Sequence, residues 1–326
     1  MQGQVSPEQN ATAPVYVGID VCKAWLDVFI HPNGQEFRVA NTTSGLKHLC
    51  RALSLHMVAG IVIEATGKYH RAALDCLYAS NHPVSVVNPS RARWFAKAKG
   101  EDAKTDRIDA RMLALMAADL KPAATAPAPK IMEELQELTR ARQNAIEDQT
   151  GLSNQLGETQ NRLLGKELKH RLTSLASHIE RLDAEIARLI KQEPRLARRQ
   201  AILISIPGIG KVVAAGLLAD LAELGSCSGK AAAKLAGLAP IARESGQTTG
   251  QRHIWGGRGG VRRSLYMAAL SASRHNSCLK TFYDRLIGNG KLFKVAITAV
   301  MRKLVVLANT LLTEDRHWMP ETPKST

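Results

Sequence analysis

The chain has 326 residues, with 44 Lys and Arg against 29 Asp and Glu, so its formal charge is +15 and its pI is near 9.8. Hydrophobic residues at 45% and charged residues at 22% exclude a wholly disordered chain, and the length allows two or three domains. The basic excess points to a polyanionic partner, nucleic acid first, while an aromatic content of 4% argues against base-stacking platforms.

The segment MQGQVSPEQNATAP (1–14) is polar, without an apolar signal core, and is expected to be disordered and not to direct secretion. Residues 15–120 alternate between strand-like and helix-like stretches. VYVGIDV (15–21), LDVFIH (26–31) and EFRVAN (36–41) read as three consecutive strands, the last two joined by a turn at HPNG. A helix is expected over 44–55, a buried strand at GIVIEAT (60–66), a helix over 69–79 and a strand at VSVVNP (84–89). Helices over 90–99 and 106–119 follow. The pattern implies a mixed sheet covered by helices. KPAATAPAPK (121–130), with three prolines, reads as a semi-extended linker.

Residues 131–200 are helical. Leu168, Leu172, Leu175, Ile179, Leu182, Ile186 and Leu189 recur in alternating steps of four and three, the seam of a coiled coil. Either this seam pairs within the chain, against Leu135, Leu138, Ile146, Leu152 and Leu156, or it pairs two chains; both would use the same residues. Residues 201–312 open with SIPGIGKVVAAGLLADL, in which Pro207-Gly208-Ile209-Gly210 before Lys211 is similar to the hairpin of a helix–hairpin–helix. Over 201–326 there are 17 basic and 7 acidic residues, so this part carries most of the excess charge; the end of the chain, 313–326, reads as a tail. No apolar run is read as long enough to cross a membrane. The five cysteines (Cys22, Cys50, Cys76, Cys227, Cys278) lack zinc-finger or redox spacing and are expected to be reduced thiols of a cytoplasmic protein. The ten histidines form no HxxxH pattern, which argues against a zinc site.

Four acids stand out. Asp20 lies inside the first strand and Glu64 near the end of the apolar strand, where an ionised carboxylate is costly unless paired or bound to a metal. Asp106 and Asp109 are three apart, on one face of a helix. Each has a plainer role open to it: a turn cap for Asp20, pairing with Lys68 for Glu64, helix capping for Asp106, a solvated face beside Arg107 and Arg111 for Asp109. Together, in strand–strand–helix order, they suit a hard divalent ion such as Mg²⁺ or Mn²⁺, and a pair of such ions, roughly 3.5–4 Å apart, can clamp the two oxygens of phosphoryl transfer. Glu101 and Asp102 are weaker candidates. In the second half, GLAPIARESGQTTGQRHIWGGRGGVRRSLYMAAL (237–270) sets Arg243, Arg252, Arg258, Arg262 and Arg263 among Gly246, Gly250, Gly256, Gly257, Gly259 and Gly260, with one acid, Glu244. Arginines with a pliable backbone suit phosphate recognition, and Lys211 extends the same basic surface. Ser245 lies in this cluster; taken alone, a loop serine is most often a turn residue.

The strings VGIDVCKAWLDV, IEATGKYH, AKTDRIDARMLA, IPGIGKVVAAGLLADL and GLAPIARESGQTTGQRHI together resemble the DEDD transposases of insertion-sequence family one-hundred-ten, over about residues 15–312. The resemblance implies a ribonuclease H-like (RuvC-like) α/β domain at 15–120 with Asp20, Glu64, Asp106 and Asp109 as its metal-binding tetrad. It also implies a helical coiled coil at 131–200 and a mainly α-helical transposase domain at 201–312 with Ser245 as nucleophile. An RNA-guided DNA recombinase is then expected, exchanging target and donor DNA through a phosphoserine intermediate. Its partners would be an element-encoded bridge RNA and further copies of itself, as dimer to tetramer. The expected location is the bacterial cytoplasm, near the nucleoid and away from membranes. Two alternatives remain: a RuvC-like structure-selective nuclease that needs no serine, and a non-catalytic nucleic-acid-binding scaffold.

Overall fold

The computed structural model describes residues 13–101, 105–241, 244–245, 248–249 and 253–320, with the backbone alone described for Asp106, Glu244, Ser245, Thr248 and Thr249. It divides into two compact units, 1–128 and 129–326.

The first unit is a five-stranded mixed sheet with helices on both faces. β1 (Val15–Val21), β2 (Trp25–His31) and β3 (Gln35–Ala40) form an antiparallel meander. α1 (Thr43–Leu53) leads to β4 (Val58–Glu64), α2 (Arg71–Ala79) to β5 (Val84–Val87), and α3 (Pro89–Ala98) and α4 (Asp106–Leu120) close the unit. β4 and β5 run parallel to β1, and the strand order is β3-β2-β1-β4-β5. This mixed sheet fits the expected ribonuclease H-like topology.

Side-chain alternation divides β1 between two cores. Val15, Val17, Ile19 and Val21 are buried against Leu46, Leu49 and Leu53 of α1 and Leu74 and Leu77 of α2. The even-numbered residues face α4. There Gly18 lets the helix backbone lie directly on the strand: a Cβ at this position would fall on the Ala110 carbonyl oxygen and the Ala114 amide nitrogen. The Pro-rich segment after α4 is not a free spacer. Thr125 donates its N–H to the Val84 carbonyl (2.7 Å), and the Ser85 hydroxyl lies 2.8 and 2.9 Å from the carbonyls of Pro122 and Ala123, so the segment runs along the β5 edge.

The second unit is helical. α5 (Lys130–Glu158) and α6 (Arg162–Gln192) pack on each other as a long hairpin within the chain. Leu168, Ile179, Ile186 and Leu189 of the predicted seam are buried, and Arg142 reaches across to Asp183 (2.5 Å). Of the two pairings open to the seam, the intrachain one is therefore present. α7 (Pro194–Ile204) and α8 (Lys211–Asp220) follow. In the turn between them Gly208, at φ +106°, packs on Ala272, so this glycine serves helix packing.

Beyond α9 (Gly229–Leu235), the chain makes two short ribbons. β6 (Pro240–Ile241) pairs with β9 (His253–Ile254), and β7 (Glu244–Ser245) with β8 (Thr248–Thr249). α10 (Gly259–His275), α11 (Ser277–Gly288) and α12 (Phe293–Thr313) complete the fold. Contrary to the sequence expectation, α12 is long and apolar enough to cross a membrane by length and mean hydropathy. Its Ala296, Ile297, Val300, Leu304, Val305, Ala308 and Leu311 are instead buried in the core of this unit.

Candidate active-site cleft

Parallel pairing aligns Ile19 with Ile63, which sets Asp20 and Glu64 one step further on, side by side at the C-terminal ends of β1 and β4. Asp20 shares a sheet face with Gly18, and Glu64 shares one with Val62. Gly18 meets α4 through Ala110 and Ala114, while Val62 packs in one cluster with Leu113, Met116 and Ala117 of the same helix. Both carboxylates thus lie on the face that α4 covers. Asp109 is one residue before Ala110, the point of closest approach, so the helix brings this third acid to the same end of the sheet.

Asp20, Glu64 and Asp109 line one cleft of about 440 Å³ with Glu101, Thr66, Ser90, Arg93 and Lys97. All three acids are partly buried, whereas Arg93 and Lys97, on successive turns of α3, are exposed. The cleft therefore pairs an acidic floor with a cationic edge. Sequence reasoning passed over Arg93 and Lys97, and also Gly18, whose small size inside an apolar strand was the available signal. Thr105 caps α4, its hydroxyl accepting from the Ile108 N–H (3.3 Å), so Asp106 is not the cap but the first helical residue. Arg107 pairs with Glu36. Asp102 lies outside the described residues.

A set of carboxylate oxygens suits Mg²⁺ or Mn²⁺ in kind. Among the described residues no three His, Cys, Asp or Glu converge closely enough to share one ion.

In the second unit, the arginines of the glycine-rich stretch have different surroundings. Arg258 holds both carboxylate oxygens of Glu223 (2.6 Å each) and donates to the Asp220 carbonyl (2.7 Å). This pairing pushes the Arg258 guanidinium up and holds Glu223 below the usual carboxylate value. Burial raises Asp220, against the nearby charges of Arg140 and Arg258. Arg262 donates to the Gly256 carbonyl (2.8 Å), and Arg263 pairs with Glu147 of α5. Lys211 is exposed in the first turn of α8. Arg243 and Arg252 lie outside the described residues. Ser245 is placed by its backbone, paired with Thr248 in the β7–β8 ribbon.

Comparison with known proteins adds the family. Residues 17–163 match the DEDD transposases of IS110, and residues 200–284 match the transposase IS116/IS110/IS902 family. The pilin gene-inverting protein of Moraxella bovis is 30% identical over 315 residues, covering 92% of this chain and 96% of that protein. An uncharacterized 42 kDa protein of insertion element IS900 from Mycobacterium paratuberculosis is 32% identical over 158 residues, or 45% of this chain and 39% of the relative. Among solved structures, T. thermophilus RuvC in complex with a Holliday junction substrate aligns at 14% identity with a TM-score of 0.28, covering 34% of this chain and 99% of that one. The chain therefore belongs to the IS110 family of transposases, enzymes that recombine DNA.

Proposed function

We propose that this transposase exchanges DNA strands through Ser245, with Asp20, Glu64, Asp106 and Asp109 holding Mg²⁺ or Mn²⁺, and that an element-encoded guide RNA selects target and donor DNA. The observation that carries it is the shared cleft. Three of the four acids, from two strands and a helix far apart in sequence, line one cavity at the C-terminal ends of parallel strands. A divalent ion held there would polarise a scissile phosphate and stabilise the charge that develops on it. Arg93 and Lys97 flank the same cavity and would hold the DNA backbone beside it.

The Ser245 hydroxyl attacks phosphorus. A P–O bond to the serine forms, the bond to the 3′ oxygen breaks, the serine proton is lost and the 3′ oxygen takes one up. The free 3′ hydroxyl of the partner strand then reverses these changes on the phosphoserine. The number of phosphoester bonds is unchanged, so no nucleotide cofactor is needed. Similarity to a gene-inverting protein supports strand exchange over simple cutting, because inversion rejoins what it cuts. The family resemblance supports delivery of the serine by another copy, in a dimer or tetramer, and RNA guidance. Guidance would leave sequence reading to base pairing.

Asp20→Asn, Glu64→Gln, Asp106→Asn and Asp109→Asn are each expected to lower recombination of a plasmid carrying the flanking DNA by at least about a hundredfold, with folding retained. Ser245→Ala is expected to abolish the covalent protein–DNA adduct and leave nucleic-acid binding intact. Normal recombination by any acid variant removes that acid from the set, and an adduct formed by Ser245→Ala places the nucleophile elsewhere. Sequencing RNA that co-purifies from cells carrying the flanking DNA tests guidance.

A further inference from the structure

Three of the arginines expected to bind phosphate are committed to the protein itself, Arg258 and Arg262 near the ends of one excursion and Arg263 to Glu147. The excursion 238–257 carries β6 to β9 between α9 and α10, with Leu238 buried in the helical core and Ile254 packed against it. Its ends meet back to back. Gly237 and Gly257, both at positive φ, approach so closely that a Cβ on either would overlap the other segment's backbone: the Gly256 carbonyl for Gly237, the Gly237 nitrogen for Gly257. One backbone bond crosses the junction, from the Arg258 N–H to the Leu235 carbonyl (2.8 Å), while the Leu238 N–H closes the end of α9 on the Ala233 carbonyl (2.8 Å). Immediately outside it, the Arg262 guanidinium donates to the Gly256 carbonyl.

Arg258 makes the longer tie. Its fork binds Glu223 with both nitrogens and also satisfies the Asp220 carbonyl at the C-terminal end of α8, where a helix leaves its last carbonyls without helical partners. Asp220 in turn lies against Gly260 in the first turn of α10. One side chain thus joins the end of α8, the start of α10 and the return point of the excursion.

We infer that Arg258 and Arg262 are positioning residues that, with Glu223 as the acid anchor, set the base of the ribbon carrying Ser245. This rests on the assignment of Ser245 as nucleophile. A phosphate-binding Arg258 would have to give up Glu223. A positioning Arg258 needs Glu223, so the two roles predict opposite effects of removing the acid.

The test compares Arg258→Ala, Glu223→Ala and the exchanged pair Arg258→Glu with Glu223→Arg in the full chain. The first readout is amide hydrogen exchange over residues 235–258 without DNA. Both single variants should speed exchange about tenfold or more, and the exchanged pair, which restores the ion pair but not the donation to the Asp220 carbonyl, should recover part of the protection. The second is the single-turnover rate of adduct formation on a plasmid carrying the flanking DNA, alongside affinity for a mixed-sequence DNA duplex across a salt series. The rate should fall at least about tenfold in both single variants and recover in part in the exchanged pair, with duplex affinity held within about threefold. Unchanged exchange in both single variants overturns the inference. So does weaker duplex binding with a shallower salt slope in Arg258→Ala accompanied by tighter binding in Glu223→Ala, the signature of a direct phosphate contact. If Arg258→Ala fails to fold, Glu223→Gln carries the same comparison. Hydrogen exchange reads the junction without strand chemistry, so a failure of the serine assignment, seen with Ser245→Ala, is distinguishable from a failure of the clamp.

Discussion

Gly18 sets how closely α4, which carries Asp109, approaches the strand that carries Asp20. It sits in an apolar strand where a larger residue would raise β propensity, yet α4 lies so close that no Cβ fits beneath Ala110 and Ala114. Gly18→Ala must push the helix off the sheet, at a cost of about 1–3 kcal/mol or more as overpacking, and shift Asp109 relative to Asp20. A lowered urea midpoint together with a larger loss of recombination than the stability change explains is the expected result. Full activity at wild-type stability would show that the helix does not need this contact. Asp20 and Glu64 are visible as candidates locally, since an ionisable residue in an apolar strand stands out. The arginine pairings are not: Arg258 and its acid Glu223 are 35 positions apart, and no local pattern marks them as a pair.

At the level of elements, the heptad steps of α6 marked the helix and its apolar stripe but left the partner open, because a stripe is satisfied equally by α5 or by another chain. The antiparallel hairpin closes part of that choice through buried Leu135 and Ala145 on α5 and Ile186 and Leu189 on α6. Ile186→Ala should therefore destabilise the second unit by about 2–5 kcal/mol in a urea titration at constant protein concentration. A loss of solution mass with no loss of stability would instead assign the residue to a contact between chains. The strands of the sheet appeared in the sequence within one or two residues of their bounds, since period-two alternation and the HPNG turn are local signals. The Pro-rich segment 121–129 is non-helical, as its composition predicts. Its bonding to β5 depends on an edge that exists only once the sheet has formed.

For the molecule as a whole, the charge of +15 governs its dealings with DNA. Release of counterions makes such binding steeply salt-dependent, with log affinity falling by about 0.9 per phosphate neutralised for each unit of log salt. Affinity for a mixed-sequence duplex should drop at least about a thousandfold between roughly 50 and 200 mM salt, as for contacts to six or more phosphates. A titration by fluorescence anisotropy checks this, and a shallow slope would mean that most of the basic residues are paired within the protein. Arg258 with Glu223, Arg263 with Glu147 and Arg142 with Asp183 already are, so the slope should be smaller than the raw count of cations suggests.

By itself the chain of residues determined the succession of strands and helices, the strand–strand–helix order of the acids, the basic second half and the family resemblance. These rest on periodicity, turn chemistry and composition, which act over a few residues or over the whole count. Only the tertiary structure decided which face of the sheet the acids share, that Arg93 and Lys97 edge their cleft, which helix closes the apolar seam, and which arginines are held by acids of the same chain. Each of these depends on groups distant in sequence that become neighbours only after burial has placed the helices on the sheet and on one another.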